Sequence, residues 1–156
     1  MYSMGIASLQ AQISQNNQKI QNLESRISEL KHLLTKLFDK QSAFNKESLK
    51  FSSLMSIEVA NINNIRSFEN MKTAKGLAES FDLVFTGPKA ESVFDNYRKI
   101  ENSFERKIDE TEQEIKRAKR EIGQLESDIS SCKHEIARIQ ESERQEAARQ
   151  AALKKH

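Results

Sequence analysis

The sequence is poor in whatever turns or staples a chain. Its 156 residues include one proline, four glycines, one cysteine and no tryptophan. An average chain carries about 7% glycine and about 5% proline. So few breakers exclude a fold of many short elements and leave long ones. Strand-favouring residues are also thin, which argues against a sandwich or a barrel. The lone thiol, Cys132, excludes an intrachain disulfide. With 37% hydrophobic and 31% charged residues, the composition predicts one elongated helical body with a narrow core.

Charge of one sign is lacking too. Lys and Arg total 25 against 23 Asp and Glu, a formal charge of +2. That balance gives no electrostatic footprint for nucleic acid. No run approaches the roughly 18 apolar residues that cross a bilayer, so no membrane insertion is expected. The opening MYSMGIASLQ has no basic flank before an apolar block, and Gly5 does not follow the initiator Met. Neither a cleavable signal nor a myristoylation site is therefore read. The expected location is the cytosol, with any export occurring without a cleaved signal peptide.

What is present is a heptad repeat, twice. Ile6, Leu9, Ile13, Asn16, Ile20, Leu23, Ile27, Leu30, Leu34 and Leu37 alternate at spacings of three and four. Gln41, Phe44, Ser48 and Phe51 continue the register with weaker residues. Phe94, Tyr97, Glu101, Phe104, Ile108, Thr111, Ile115, Ala118, Ile122, Leu125, Ile129, Cys132, Ile136 and Ile139 form the second run. Such spacing puts each run on one seam of a helix, the pattern of a coiled coil.

Between the runs, Ile57, Val59, Ile62, Ile65, Phe68 and Met71 recur at helical spacing, with a drift like that of a four-residue insertion. Gly76 is the first plausible stop. Leu77, Phe81, Val84 and Phe85 mark a short helical turn. Thr86-Gly87-Pro88 ends it, with proline suited to open the next helix and Glu91 to its first turn. The expected fold is all-α, a long antiparallel helical hairpin within a single domain of residues 1–156. Arm one covers about 5–75, the tip 76–88, arm two about 89–143, and a frayed or solvated tail 144–156. An arm of about 70 residues would be about 105 Å long at 1.5 Å per residue. Folding at Gly76–Pro88 would bring Ile139 near Leu23, and Ile108 near Leu54–Ile57. All eight phenylalanines fall in the half nearest the tip.

Chemistry-bearing residues are sparse. His32 and His134 fall outside the seams, where a solvated role outweighs a metal pair. No glycine-rich phosphate loop occurs, and a two-helix body offers little concavity. The reading is therefore of a non-enzyme with no catalytic, cofactor-binding or metal residues. Cys132 reads as a small buried side chain, or as half of an intermolecular disulfide if a second chain packs at its seam. Asn16, Gln41 and Glu101 either fix register or sit where water enters.

The stretch Phe85-Thr86-Gly87-Pro88-Lys89-Ala90, followed by Phe94, Tyr97 and Phe104, resembles the aromatic-x-Gly turn of the WXG-motif helical proteins exported by bacterial type VII (ESX/Ess) secretion systems. The long heptads on both sides resemble the WXG-like accessory proteins associated with LXG-domain toxins. Phe85 stands where that family usually has tryptophan. Its Tyr-x-x-x-Asp/Glu export signal has one match, Tyr97 to Glu101, placed just after the turn and not near the end of the second helix.

The resemblance implies a bacterial protein that binds the helical N-terminal domain of a cognate LXG toxin, keeps it soluble and helps present it for secretion. Phe68, Phe81, Phe85, Phe94, Tyr97 and Phe104 are then the candidate contacts, with Phe85, Gly87 and Pro88 forming the turn. Partners would be that toxin domain, a second small helical protein, or a second copy of the chain. The alternative is a structural coiled-coil spacer or self-assembling homodimeric rod.

Overall fold

The computed structural model describes residues 2–66 and 72–155. Among these the chain is all-α, an antiparallel helical hairpin without strands. Helix α1 spans Tyr2–Arg66, α2 Lys72–Thr86 and α3 Pro88–Lys154. The last of these carries the helix through the alanine- and arginine-rich tail, whose side chains are almost all exposed.

Two compact units make up the chain. The first pairs α1 as far as His32 with α3 from Glu112 onward. Its seam buries Ile20, Ile27, Leu30, Ile115, Ala118, Ile129, Cys132 and Ile139. The helices run antiparallel: Cys132 Sγ lies 3.5 Å from Gln12 Oε1, and Arg26 Nη2 lies 3.0 Å from Glu114 Oε1. Glu114 and Glu29 together hold the Arg26 guanidinium above its ordinary pKa, chiefly through the Glu114 hydrogen bonds. Asn16 is buried on this seam.

The second unit runs from Leu33 to Thr111 and holds the end of α1, all of α2 and the start of α3. Its buried residues are Met55, Ile62, Ala78, Ala90, Ile108 and Thr111. Thr111, 2% exposed, donates its hydroxyl to the Lys107 carbonyl at 2.7 Å, so the buried oxygen is satisfied within its own helix.

Every heptad residue from Ile6 to Phe51, and from Phe94 to Ile139, is buried or half-buried. The register then continues past Phe51 without slipping, through Met55, Glu58, Ile62 and Ile65. The expected drift does not occur. Ile57 is 57% exposed, and Met55 occupies the seam instead.

Two further expectations are corrected, and a third falls partly outside the described residues. Gly76 does not stop a helix; it lies inside α2, with no atom within 4 Å of where a Cβ would stand. The first arm is helical as far as Arg66, and its expected continuation to Lys75 crosses 67–71, outside the described residues. The pairing is shifted as well. An added Cβ on Gly5 would sit 4.0 Å from Ile139 Cδ1, so Ile139 faces the start of α1 and not Leu23. Likewise Leu37, Phe104 and Lys107 line one shallow depression, which places Ile108 far from Leu54–Ile57.

The reason lies in α2. Arg66 pairs with Asp82, so α2 already runs back along α1. Helix α2 therefore already belongs to the returning arm. Gly87 alone interrupts the returning arm, between α2 and α3.

Candidate partner-binding surface

Proline and glycine define the break locally. Pro88 opens α3, where its missing N–H has no helical partner to lose. The Gly87 carbonyl accepts the Glu91 backbone N–H at 3.1 Å, the first bond of the new helix. Gly87 does not have a positive φ. Its requirement is space, because a Cβ would collide with the Leu83 carbonyl oxygen.

Beside this break lies an open groove of about 510 Å³. Met55 and Val59 of α1, Phe85 of α2, and Ala90 and Phe94 of α3 supply its apolar walls. Ser52, Ser56, Thr86 and Glu91 supply its polar rim. Small side chains on α1 open this space, and the helix break keeps the opposite wall from closing it.

Next to the groove the rings interlock. Phe44 lies 5.4 Å from Tyr97 and 5.9 Å from Phe104; Phe51 lies 5.4 Å from Phe94 and 5.3 Å from Tyr97. Tilted and edge-on packing at these distances suits the ring quadrupoles. Phe94, Tyr97 and Phe104, expected as partner contacts, are thus half-buried in the seam against α1. Tyr97 and Glu101, the export-signal match, both occupy half-buried seam positions. Phe68 lies outside the described residues. Phe85 lines the groove, and Phe81 is 39% exposed on α2.

Phe81 belongs to a stripe. Leu77, Phe81 and Val84 sit at i, i+4 and i+7 of α2 and are 48%, 39% and 58% exposed. Ala78, Asp82 and Phe85 are the covered side of the same helix. The chain therefore presents both an apolar groove and an apolar helical ridge within its second unit. Sequence reading missed Met55, Val59 and Ala90 as wall residues. The unbroken heptad count through Met55 is the signal that finds the first of them.

A small polar cluster fixes α2. Arg66 Nη2 lies 2.9 Å from Asp82 Oδ2. The Thr86 hydroxyl lies 2.6 Å from the Asp82 carbonyl and 3.0 Å from Asp82 Oδ1. The Thr86 hydrogen bond, and then Arg66, hold the Asp82 carboxyl below its ordinary pKa. A depressed carboxylate pKa contributes stability above the unfolded value, near about 3.9, and loses it as pH falls through the folded value. Thr86→Val and Arg66→Gln are each expected to raise the Asp82 titration midpoint, read by carboxyl NMR. An unchanged midpoint in Thr86→Val would show that the hydroxyl does not hold the carboxylate.

Among the described residues no group of His, Cys, Asp and Glu is placed to hold a metal, and His32 and His134 are exposed. No described helix is long and apolar enough to cross a membrane. No protein-family profile, curated protein or solved structure matches the chain.

Proposed function

We propose that this chain is a non-enzymatic binding partner and targeting chaperone of an LXG-type toxin, acting in type VII secretion. Its second unit packs on the toxin's helical N-terminal domain. It acts in the bacterial cytoplasm before export, and Tyr97 with Glu101 is its candidate export signal.

The observation that carries the reading is where apolar surface is left uncovered. Twelve large apolar side chains are exposed among the described residues, and all but Leu153 lie between Leu33 and Ile100. A rod that served only as a spacer needs no such concentration. The ridge Leu77–Phe81–Val84 has the anchor spacing of a helix that lies in a partner's groove. Burying apolar area stabilises a complex by about 25 cal/mol per Å² before the costs of association.

The test is co-purification with the N-terminal domain of a toxin encoded beside this chain. The expected result is a stable complex that Leu77→Glu with Phe81→Glu abolishes while helix content is unchanged. A chain that ignores the toxin domain altogether leaves the structural-rod reading. That reading is favoured by the first unit, where Leu153 is the one large apolar side chain left exposed among the described residues.

A further inference from the structure

We propose that helix α2 is a releasable strap: it parts from α1 as one unit while α1 and α3 of the second unit stay paired, and in doing so it uncovers Ile62. The inference concerns the free chain and stands or falls apart from the toxin reading.

The hold on α2 is slight. Among residues 75–86, Ala78 is the one buried, Asp82 and Phe85 are half-buried, and the other nine are exposed. The helix carries five large apolar side chains, and four of them, Leu77, Phe81, Leu83 and Val84, are 39% to 71% exposed. What α2 covers of its own surface is therefore one methyl group, part of one ring and a carboxylate. The partner of that carboxylate, Arg66, is itself 44% exposed, and an exposed ion pair contributes little. A helix of 15 residues without tertiary packing is marginal in water, so α2 loses its hydrogen bonds once it leaves α1.

The rest of the unit is held differently. Phe44 and Phe51 of α1 meet Phe94, Tyr97 and Phe104 of α3 with ring centroids 5.3 Å to 5.9 Å apart. Nor does α3 support α2 through the backbone as a continuous helix would. Pro88 has no N–H to offer the Val84 carbonyl, and the Gly87 carbonyl accepts from Glu91 within α3. An element with few buried apolar contacts, set beside a well-packed pair, opens below the cost of global unfolding.

Slight as it is, this hold seals one of the most deeply buried large side chains. Ile62 is 2% exposed. One turn before it, Val59 shares the groove with Phe85; one turn after it, Arg66 pairs with Asp82. Helix α2 is therefore what lies over Ile62. When α2 leaves, Phe85 leaves the groove with it. The groove then runs on along α1 from Met55 through Val59 to Ile62, open on the side where α2 stood. A thin contact over an apolar surface is what a strap requires: it closes that surface at rest and lifts easily.

Hydrogen exchange of the full chain at neutral pH tests this. The amides of residues 77–85 are expected to exchange as a group, at least about tenfold faster than those of residues 41–51 and 97–108, yet well below the unprotected rate. Arg66→Gln should speed the α2 group about threefold and leave the other two unchanged. A second readout follows the uncovering itself. With Cys132→Ser removing the native thiol, Ile62→Cys is expected to be alkylated, and about threefold faster once Arg66→Gln is added. Protection of α2 equal to that of α1 and α3 overturns the proposal, because the three then open together. Unprotected α2 amides overturn it as well, since no strap would then be closed. So does an Ile62→Cys thiol whose alkylation is indifferent to Arg66→Gln. None of these outcomes bears on whether the toxin domain co-purifies.

Discussion

Ile62→Ala is expected to destabilise the second unit by about 2–4 kcal/mol, whereas Ile57→Ala, five residues earlier, should change stability by less than about 0.5 kcal/mol. The two residues are chemically identical and sit on the same uninterrupted helix. Ile62 is 2% exposed and Ile57 is 57% exposed. Removing three carbons from Ile62 forfeits transfer free energy and leaves a void that its neighbours only partly fill. Two helices facing each other provide few other layers from which atoms could move in. Set against a typical total of about 5–15 kcal/mol, the loss is large. Urea unfolding followed by circular dichroism measures both variants. Equal effects would falsify the heptad register assigned to the end of α1.

Gly87→Ala should cost about 1–3 kcal/mol, and Gly76→Ala should stabilise by about 0.5–1 kcal/mol. The contrast is informative because both glycines looked like chain breakers. A Cβ on Gly76 meets open space within a regular helix, so alanine there only reduces the freedom of the unfolded chain. A Cβ on Gly87 would drive into the Leu83 carbonyl oxygen, with the carbonyl carbon at 3.2 Å and Leu83 Cα at 3.5 Å. These are backbone atoms at the end of α2, so no rotamer change relieves the clash. The break must open, and the Thr86 bonds to Asp82 and the groove wall at Phe85 shift with it. Hydrogen exchange should show faster opening over Leu83–Thr86 in Gly87→Ala alone. Similar protection in both variants would mean that the break has room to spare.

The seams were legible because they depend on one quantity, the period of apolar residues. Ile6 to Phe51 and Phe94 to Ile139 could be assigned residue by residue on that ground. The shift in pairing was not legible. Heptads fix which side of a helix faces its partner, but any displacement by whole heptads satisfies the same pattern. Only the site of reversal selects among these displacements. Gly76 and Gly87 suggested that site by composition, yet the helix between Lys72 and Thr86 lies wholly in the returning arm. Ile57 was misplaced for a related reason. In Phe51–Ile65 the one charged residue, Glu58, lies on the seam itself and the flanks carry none, so hydrophobicity alone does not say which residues face inward. The groove depends on a break in one helix lying level with serines on another, and no local pattern encodes that coincidence. The aromatic candidates divided along the same line: Phe94, Tyr97 and Phe104 had already been claimed by their own heptad.

The buried thiol has a practical consequence. Cys132 is the sole cysteine and sits in the seam of the first unit with its sulfur against Gln12. An alkylating reagent can reach it only when the two helices part at that point. The rate of labelling therefore reports how often that unit breathes, in the unmodified chain and without an added probe. Changes made at Ile27 or Ile115, in the same unit, can then be followed by that clock.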